Sequence, residues 1–232
     1  MYNLAQKLIA EFLGTFTIVW ISAGAICADQ YLTATAKPGL GVLGIALAYG
    51  LAVGVMVTAF GPVSGGHFNP AVTIGLWVTR RLGSIDTLLY WAAQVLGAMA
   101  GAYTLKAMMS DSVWEAVALG TPALAPDFSR AHAMALEGVT TLLWVLVFFA
   151  TVVDANGAFD RIAVFSTGLT VAILVLLAYP FSGAAMNPAR AFGPALASGH
   201  WTNHGVYWVG PLFGGVLAGF LYDRLFLRRQ SQ

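Results

Sequence analysis

Charged residues are scarce in this chain, making up 9% of its 232 residues, against about 25% in an average soluble domain. Apolar residues make up 59%. So few charges could not cover the surface of a soluble protein of this size, and lipid is therefore the expected outer solvent. The formal net charge is only +1. With no basic face to neutralise phosphates, the chain is not expected to bind nucleic acid.

Cysteine is almost absent as well, since Cys27 is the only one. A single cysteine excludes an internal disulfide and any metal site built from cysteines, and we interpret Cys27 as a small apolar residue near a helix end. His132, His200 and His204 fall near loops without metal-ligand spacing and are expected at the surface. The sequence also contains no nucleophile–base pair and no phosphate-binding loop. It therefore predicts neither catalysis nor a metal or cofactor.

The few charges divide the chain into long apolar runs. A membrane-spanning helix needs about 20 apolar residues, and most runs have room for one helix each, which predicts six spans. The first run lacks a small-residue cleavage site and is expected to stay as a span rather than to be a signal peptide. The runs without Lys, Arg, Asp or Glu cover residues 12–28, 38–79, 87–105, 138–153, 162–189 and 191–222.

Two regions are too long for simple crossings. Residues 38–79 form a run that exceeds one span, yet no charged turn divides it into two. Residues 162–222 hold two crossings and leave a spare segment around Arg190. Each region is therefore predicted to contain one full span followed by a half-length segment that enters the bilayer and returns.

The distribution of Lys and Arg supports this topology, because cytoplasmic loops carry an excess of both residues. With six spans and the N-terminus inside, seven basic residues fall on the cytoplasmic side and three outside. The cytoplasmic set is Lys7, Arg80, Arg81, Arg161, Arg224, Arg228 and Arg229, and the outer set is Lys37, Lys106 and Arg130. A multi-pass protein of the cell (inner) membrane with both termini cytoplasmic is expected.

The sequence also repeats itself at an offset of 118 residues. Each copy, approximately residues 1–110 and 130–227 of a single domain 1–232, would contain three spans and one half-segment. Three is odd, so the second copy must lie upside down, and inverted repeats place functional sites near the bilayer midplane. The matched segments are Pro62-x-Ser64-Gly65 with Pro180-x-Ser182-Gly183, and Asn69-Pro70-Ala71 with Asn187-Pro188-Ala189.

The repeated Asn-Pro-Ala predicts the start of a short helix in each copy. Asn is a strong N-cap, Pro fits the first helical position, and Ala favours helix. The half-helices are expected over Pro70–Trp77 and Pro188–Leu196. Inversion makes their N-termini meet, and each end carries about half a positive charge. We expect the caps Asn69 and Asn187 to use their oxygens locally, leaving their amide N–H groups free to donate to a passing water.

The two segments resemble the signature loops of the aquaporin (major intrinsic protein) family, and the similarity covers essentially the whole chain. Short termini are similar to those of prokaryotic water-channel members. The resemblance implies an all-α membrane protein with six transmembrane helices and two re-entrant half-helices in a right-handed bundle. It also implies one pore per protomer and a homotetramer. The residues that carry it are Ser64 to Thr73 and Met186 to Pro194.

Four residues are expected to form the selectivity filter. Arg190 is a lone charge in an apolar segment, which is costly and marks function. The resemblance supplies the other three by counting back from the two asparagines: Tyr49, Val175 and Ala184. Water channels typically place Phe and His where this chain has Tyr49 and Val175. The departure predicts passage of water, with ammonia or hydrogen peroxide as further candidates and poor passage of glycerol.

The two intramembrane glutamates allow two interpretations. Glu11 and Glu137 occupy equivalent places in the first and fourth spans, and each could accept backbone N–H groups from a non-helical loop. The competing hypothesis is a proton-coupled carrier that uses them as relays. A glycerol facilitator is the other alternative function. His67 precedes the first cap, where it either bonds the loop or lines the inner vestibule.

Overall fold

The computed structural model describes residues 2–154 and 163–227, and it is helical, with no strand in those residues. The basic residues Arg161, Arg228 and Arg229 of the topology argument lie outside the described residues. The helices are α1 Leu4–Ala34, α2 Gly41–Ser64, α3 Pro70–Val78, α4 Ser84–Met108, α5 Asp111–Trp114, α6 Arg130–Phe148, α7 Ala163–Ser182, α8 Pro188–Ser198 and α9 Val206–Tyr222. A π-helical turn extends α6 over Phe149–Val153 and another extends α9 over Asp223–Leu227.

Six helices are the membrane spans that the sequence predicts. Five of them, namely α1, α2, α4, α6 with its extension, and α7, are long and apolar enough to cross a membrane by length and composition. The sixth, α9, has 17 residues without a charge and continues into its π-helical turn. The two overlong regions fold as predicted, each into a full helix followed by a short one, α2 with α3 and α7 with α8.

Each of the half-helices, α3 and α8, packs against a span from the opposite half of the chain. Within the halves, α1 packs on α2 and α4, and α6 packs on α7 and α9. Across the halves, α2 packs on α7, α3 on α9, and α8 on α4. The half-helices α3 and α8 thus join the two halves into one bundle. The observed half-helices end one and two residues later than expected, at Val78 and Ser198.

Glycine permits the closest helix contacts in this bundle. A Cβ atom on Gly50 would clash with the carbonyl oxygen of Gly168, and a Cβ atom on Gly168 would meet that of Gly50, which marks the crossing of α2 and α7. Gly215 of α9 lies in the same way against the carbonyl oxygen of Ala71 in α3. Because lipid offers no hydrophobic drive for association, such close backbone packing is what holds spans together.

Gly215→Ala should therefore destabilise the bundle strongly. The added methyl group would overlap the backbone oxygen of Ala71, which cannot move without displacing the N-terminus of α3. Overpacking of this kind costs about 1–3 kcal/mol, so the thermal midpoint in detergent should fall by several degrees. Gly205→Ala is the matched control, because its Cβ meets nothing within 4 Å. Equal midpoints for the two variants would contradict this packing.

Candidate permeation site

The N-termini of the half-helices α3 and α8 are capped by the two asparagines of the repeat. Asn69 Oδ1 accepts from Ala71 N at 2.8 Å, and Asn187 Oδ1 accepts from Ala189 N at 3.0 Å and Arg190 N at 3.3 Å. Both caps have extended backbone and are fully buried. The capping geometry is therefore the one that Asn followed by Pro favours.

Each asparagine also crosses to the opposite repeat. Asn69 Nδ2 donates to the carbonyl oxygen of Met186 at 2.9 Å, and Asn187 Nδ2 donates to that of Phe68 at 2.9 Å. This reciprocal pair joins the two helix ends across the pseudo-twofold axis. The expectation that the amide N–H groups are free is therefore wrong for one hydrogen of each amide. An amide nitrogen has two hydrogens, so one donor remains on each side.

The loops that approach the two caps have the same unusual backbone. Gly65 and Gly183 have φ of 94° and 78°, and the last residues before the caps, Phe68 and Met186, have φ of 46° and 50°. A non-glycine residue in the left-handed region costs about 1–3 kcal/mol and persists only when its surroundings hold it. Strain at matched positions of both loops indicates that each loop is held in one conformation.

Glu11 holds the first loop. Its Oε1 accepts from Ser64 Oγ at 2.6 Å and His67 N at 3.0 Å, and its Oε2 accepts from Phe68 N at 2.7 Å. Gln94 of α4 adds a fourth bond, from Nε2 to Oε2 at 2.7 Å. A fully buried carboxylate is tolerable only when its lone pairs are satisfied in this way.

Glu137 holds the second loop with the equivalent contacts. Its Oε1 accepts from Ser182 Oγ at 2.7 Å and Ala185 N at 3.0 Å, and its Oε2 accepts from Met186 N at 2.6 Å. Each of these partners lies 118 residues after its counterpart at Glu11. The two glutamates thus make the loop contacts that the structural interpretation expected of them.

Three further buried side chains support the loops. Tyr90 Oη donates to Ser64 O at 2.8 Å, and Tyr207 Oη donates to Ser182 O at 2.9 Å. Gln94, besides its bond to Glu11, donates to Thr73 Oγ1 at 2.9 Å. A glutamine within an apolar span was the available signal, because intramembrane polar residues are usually functional.

Arg190 lies buried beside Tyr49. Its Nη1 donates to the carbonyl oxygen of Gly120 at 3.0 Å, and its guanidinium lies 5.8 Å from the centre of the Tyr49 ring. Tyr49 Oη in turn donates to Ala185 O at 2.8 Å. Val175 and Ala184 are buried in the same packed cluster as Tyr49. The structure therefore gathers the four predicted filter residues around one region, and it adds Gly120 as the acceptor that orients the arginine.

The histidines and the cysteine have mixed environments. His67 is buried, its Nδ1 lies 3.2 Å from Thr73 Oγ1, and its ring packs 5.0 Å from that of Tyr90. Cys27 is fully buried in an apolar cluster, as expected of a small apolar residue. His204 is partly buried in its loop, so the expectation of a surface residue holds for it only in part. Its Nε2 accepts from Trp208 Nε1 at 3.0 Å, and burial lowers its pKa below the usual value.

These features define a multi-pass membrane channel. The N-termini of the half-helices α3 and α8 face each other inside the bundle. The buried side chain of Arg190 lies in the first turn of α8. The described residues contain no group of His, Cys, Asp and Glu able to hold a metal ion. The geometry thus offers hydrogen-bond donors, carbonyl acceptors and a fixed positive charge.

Residues 1–222 match the family described as major intrinsic protein, and the chain belongs to that family. It is 40% identical to aquaporin TIP4-1 of Zea mays over 96% of this chain and 86% of the relative. It is 40% identical to aquaporin TIP2-1 of Arabidopsis thaliana over 94% of this chain and 86% of the relative. Aquaporin-4 of Bos taurus is 38% identical over 95% and 67%. Family membership makes the chain a channel and not an enzyme.

One solved structure confirms the fold independently of these relatives. The aquaglyceroporin from Plasmodium falciparum superposes with a TM-score of 0.81 at 25% sequence identity, covering 98% of each chain. The all-helical bundle with re-entrant half-helices predicted from the sequence is therefore correct. The relatives are plant and animal proteins, so the resemblance to prokaryotic members stays a prediction.

Proposed function

We propose that this chain is a passive channel for water that excludes protons and ions. The observation that carries the proposal is the pair of asparagine caps at opposed half-helix N-termini, each with one amide hydrogen left to donate. The aquaporins among its relatives support the same function. Osmotic shrinkage of reconstituted vesicles is the direct test.

The mechanism follows from the hydrogen bonds that water can make at the asparagine pair. A water molecule that accepts from Asn69 and Asn187 must point its own hydrogens away from both. Its neighbours are then oriented in opposite directions, which interrupts a chain of proton transfers. The facing helix N-termini add a positive potential that repels cations, and Arg190 adds a full charge at the filter.

The filter of Tyr49, Val175, Ala184 and Arg190 sets the range of solutes. Val175 and Ala184 are small and apolar, so this wall offers no hydrogen bond and leaves room. A polar group in a site is what rejects a solute that cannot bond to it. Because this wall is wide and demands no hydrogen bond, small neutral molecules such as ammonia or hydrogen peroxide should pass beside water. Glycerol is the alternative substrate, supported by the structural likeness to an aquaglyceroporin.

Val175→His should narrow this filter and restore a polar wall. Ammonia or peroxide flux should fall more than water flux, because the imidazole adds bulk and narrows the path towards the size of a water molecule. Val171→His is the control for a buried histidine elsewhere in α7, since Val171 is buried one turn away. Paired flux assays on vesicles would decide the matter. Unchanged selectivity in Val175→His, or wild-type glycerol flux that rivals water flux, would contradict this filter.

Ala184→Cys should make the channel sensitive to mercurials. Ala184 lies at φ 47° in the second approach loop, three residues before Asn187, where a mercury adduct would block the pore. The unmodified protein should be insensitive, because its Cys27 is fully buried in a packed apolar cluster. Water flux before and after mercury treatment is the measurement. If mercury strongly blocks the wild-type protein and Cys27→Ser abolishes that block, the placement of Ala184 in the pore wall is contradicted.

The assembly and placement of the chain extend the proposal. We infer a single channel domain over 1–232 whose inverted repeats cover approximately 1–110 and 130–227. The family resemblance and the distribution of basic residues support a homotetramer in the cell membrane with both termini cytoplasmic. The salt bridge between Arg81 and Asp223, at 2.7 Å, is consistent with both residues lying at the same cytoplasmic end.

A further inference from the structure

One face of α6 carries four buried side chains that follow one another at helical spacing. Thr141, Trp144 and Phe148 lie four, seven and eleven residues after Glu137, and all are buried. At 3.6 residues per turn these positions fall within about 60° of one another. The residues therefore form a single stripe along the helix, which we call the Glu137 face.

The two ends of the Glu137 face contact the two approach loops. Glu137 accepts from Met186 N in the second loop, and the Phe148 ring lies 6.1 Å from the ring of His67 in the first. Trp144 stands between them, about 10 Å along the axis from Glu137 and about 6 Å from Phe148. It belongs to the same packed cluster as Met186.

The indole N–H of Trp144 has no partner within the described part of the chain. Three buried nitrogens share this property there, namely Trp20 Nε1, Trp144 Nε1 and Arg190 Nε. An unpaired buried donor is costly, and beside a water-filled path the solute itself can satisfy it. Trp20 lies nine residues after Glu11, on the opposite side of α1 from the loop contacts, and it packs in a different cluster. Trp144 and Arg190, by contrast, belong to the region of the loops.

We propose that Trp144 is a further specificity-determining residue of this channel, resting on the proposed water-channel function. Its N–H donates to the oxygen of a permeating water, and its ring narrows the path against solutes as wide as glycerol. Ile18, seven residues after Glu11, occupies the equivalent place in the first repeat and belongs to the same cluster, but it offers no donor. The path is therefore asymmetric at this level, with one polar wall and one apolar wall.

Trp144→Phe tests the donor, because it removes the N–H while keeping an aromatic, although smaller, side chain. Removing one hydrogen bond to water should lower the osmotic permeability about threefold without increasing glycerol flux. Trp144→Leu tests the ring, and the wider path should raise glycerol flux about tenfold. If Trp144 only packed the core, removing its unpaired N–H would leave permeability unchanged in Trp144→Phe, and that result would overturn the proposal.

Mercury provides the closing test, in a Cys27→Ser background that carries one new cysteine. Trp144→Cys should lose most of its water flux on treatment with mercuric chloride. Leu143→Cys, whose parent side chain is exposed on the outside of the bundle, should react without losing flux. If mercury blocks water flux in Ala184→Cys but not in Trp144→Cys, the role of Trp144 is overturned while the proposed function stands. Absence of osmotic water flux in the untreated parent would instead overturn the proposed function. Trp144→Phe decides the matter if Trp144→Cys does not fold.

Discussion

Arg190→Val is expected to produce a channel that leaks protons or cations, with water flux changed by no more than a few-fold. The guanidinium is a fixed charge in a region where it is held by the carbonyl oxygen of Gly120 and packs beside Tyr49. A unit charge acts on a cation 4 Å away with about 4 kcal/mol at an effective dielectric constant of 20. Losing even part of that barrier should raise the leak by about tenfold or more.

The leak is measured from the decay of a pH gradient across reconstituted vesicles. Arg130→Val provides the matched control, because Arg130 is exposed and its Nε donates to Asn203 Oδ1 outside the filter region. That variant loses the same charge and should not leak. A leak in Arg190→Val equal to that of the wild type would show that the arginine does not stand at the constriction.

Glu137→Leu is expected to destroy the second approach loop and with it the water flux. The substitution leaves the N–H groups of Ala185 and Met186 and the hydroxyl of Ser182 without their buried acceptor. Each of these three unsatisfied donors costs about 1–3 kcal/mol, so the free energy of unfolding should fall by roughly 3–9 kcal/mol. Thermal unfolding in detergent and osmotic flux of vesicles measure the two consequences.

The control for Glu137→Leu is Glu115→Leu, since Glu115 is an exposed carboxylate on a connecting segment. It should leave both stability and flux near the wild-type values. The proton-carrier hypothesis makes a different prediction for Glu137, namely a stable protein that loses only its dependence on a proton gradient. A Glu137→Leu variant with unaltered thermal stability would contradict the anchoring role.

The parts of this site that depend on local chemistry could be predicted from the sequence. Asn followed by Pro favours a helix start, and its repetition in matched contexts predicted the caps at Asn69 and Asn187 without tertiary information. The 118-residue offset then implied inversion, because each copy holds an odd number of spans. The roles of Glu11 and Glu137 could be predicted for a similar reason, since an isolated carboxylate in a span must find hydrogen-bond donors.

Contacts between distant elements could not be predicted in the same way. The bond from Asn69 Nδ2 to Met186 O joins residues 117 positions apart. Its existence depends on how closely α3 and α8 approach, which is set by glycine contacts such as Gly215 against Ala71. Gly120 had no distinguishing sequence feature, because a backbone carbonyl becomes an acceptor for Arg190 only through the path of its loop.

Stopped-flow osmotic shrinkage of vesicles containing the purified protein, recorded over a range of temperatures with and without a pH gradient, tests the central claim most directly. A passive channel gives a high water permeability with a low activation energy, because water exchanges one set of hydrogen bonds for another along the pore. The rate should not depend on the pH gradient. A water permeability equal to that of protein-free vesicles, or a rate that requires the gradient, would contradict the account.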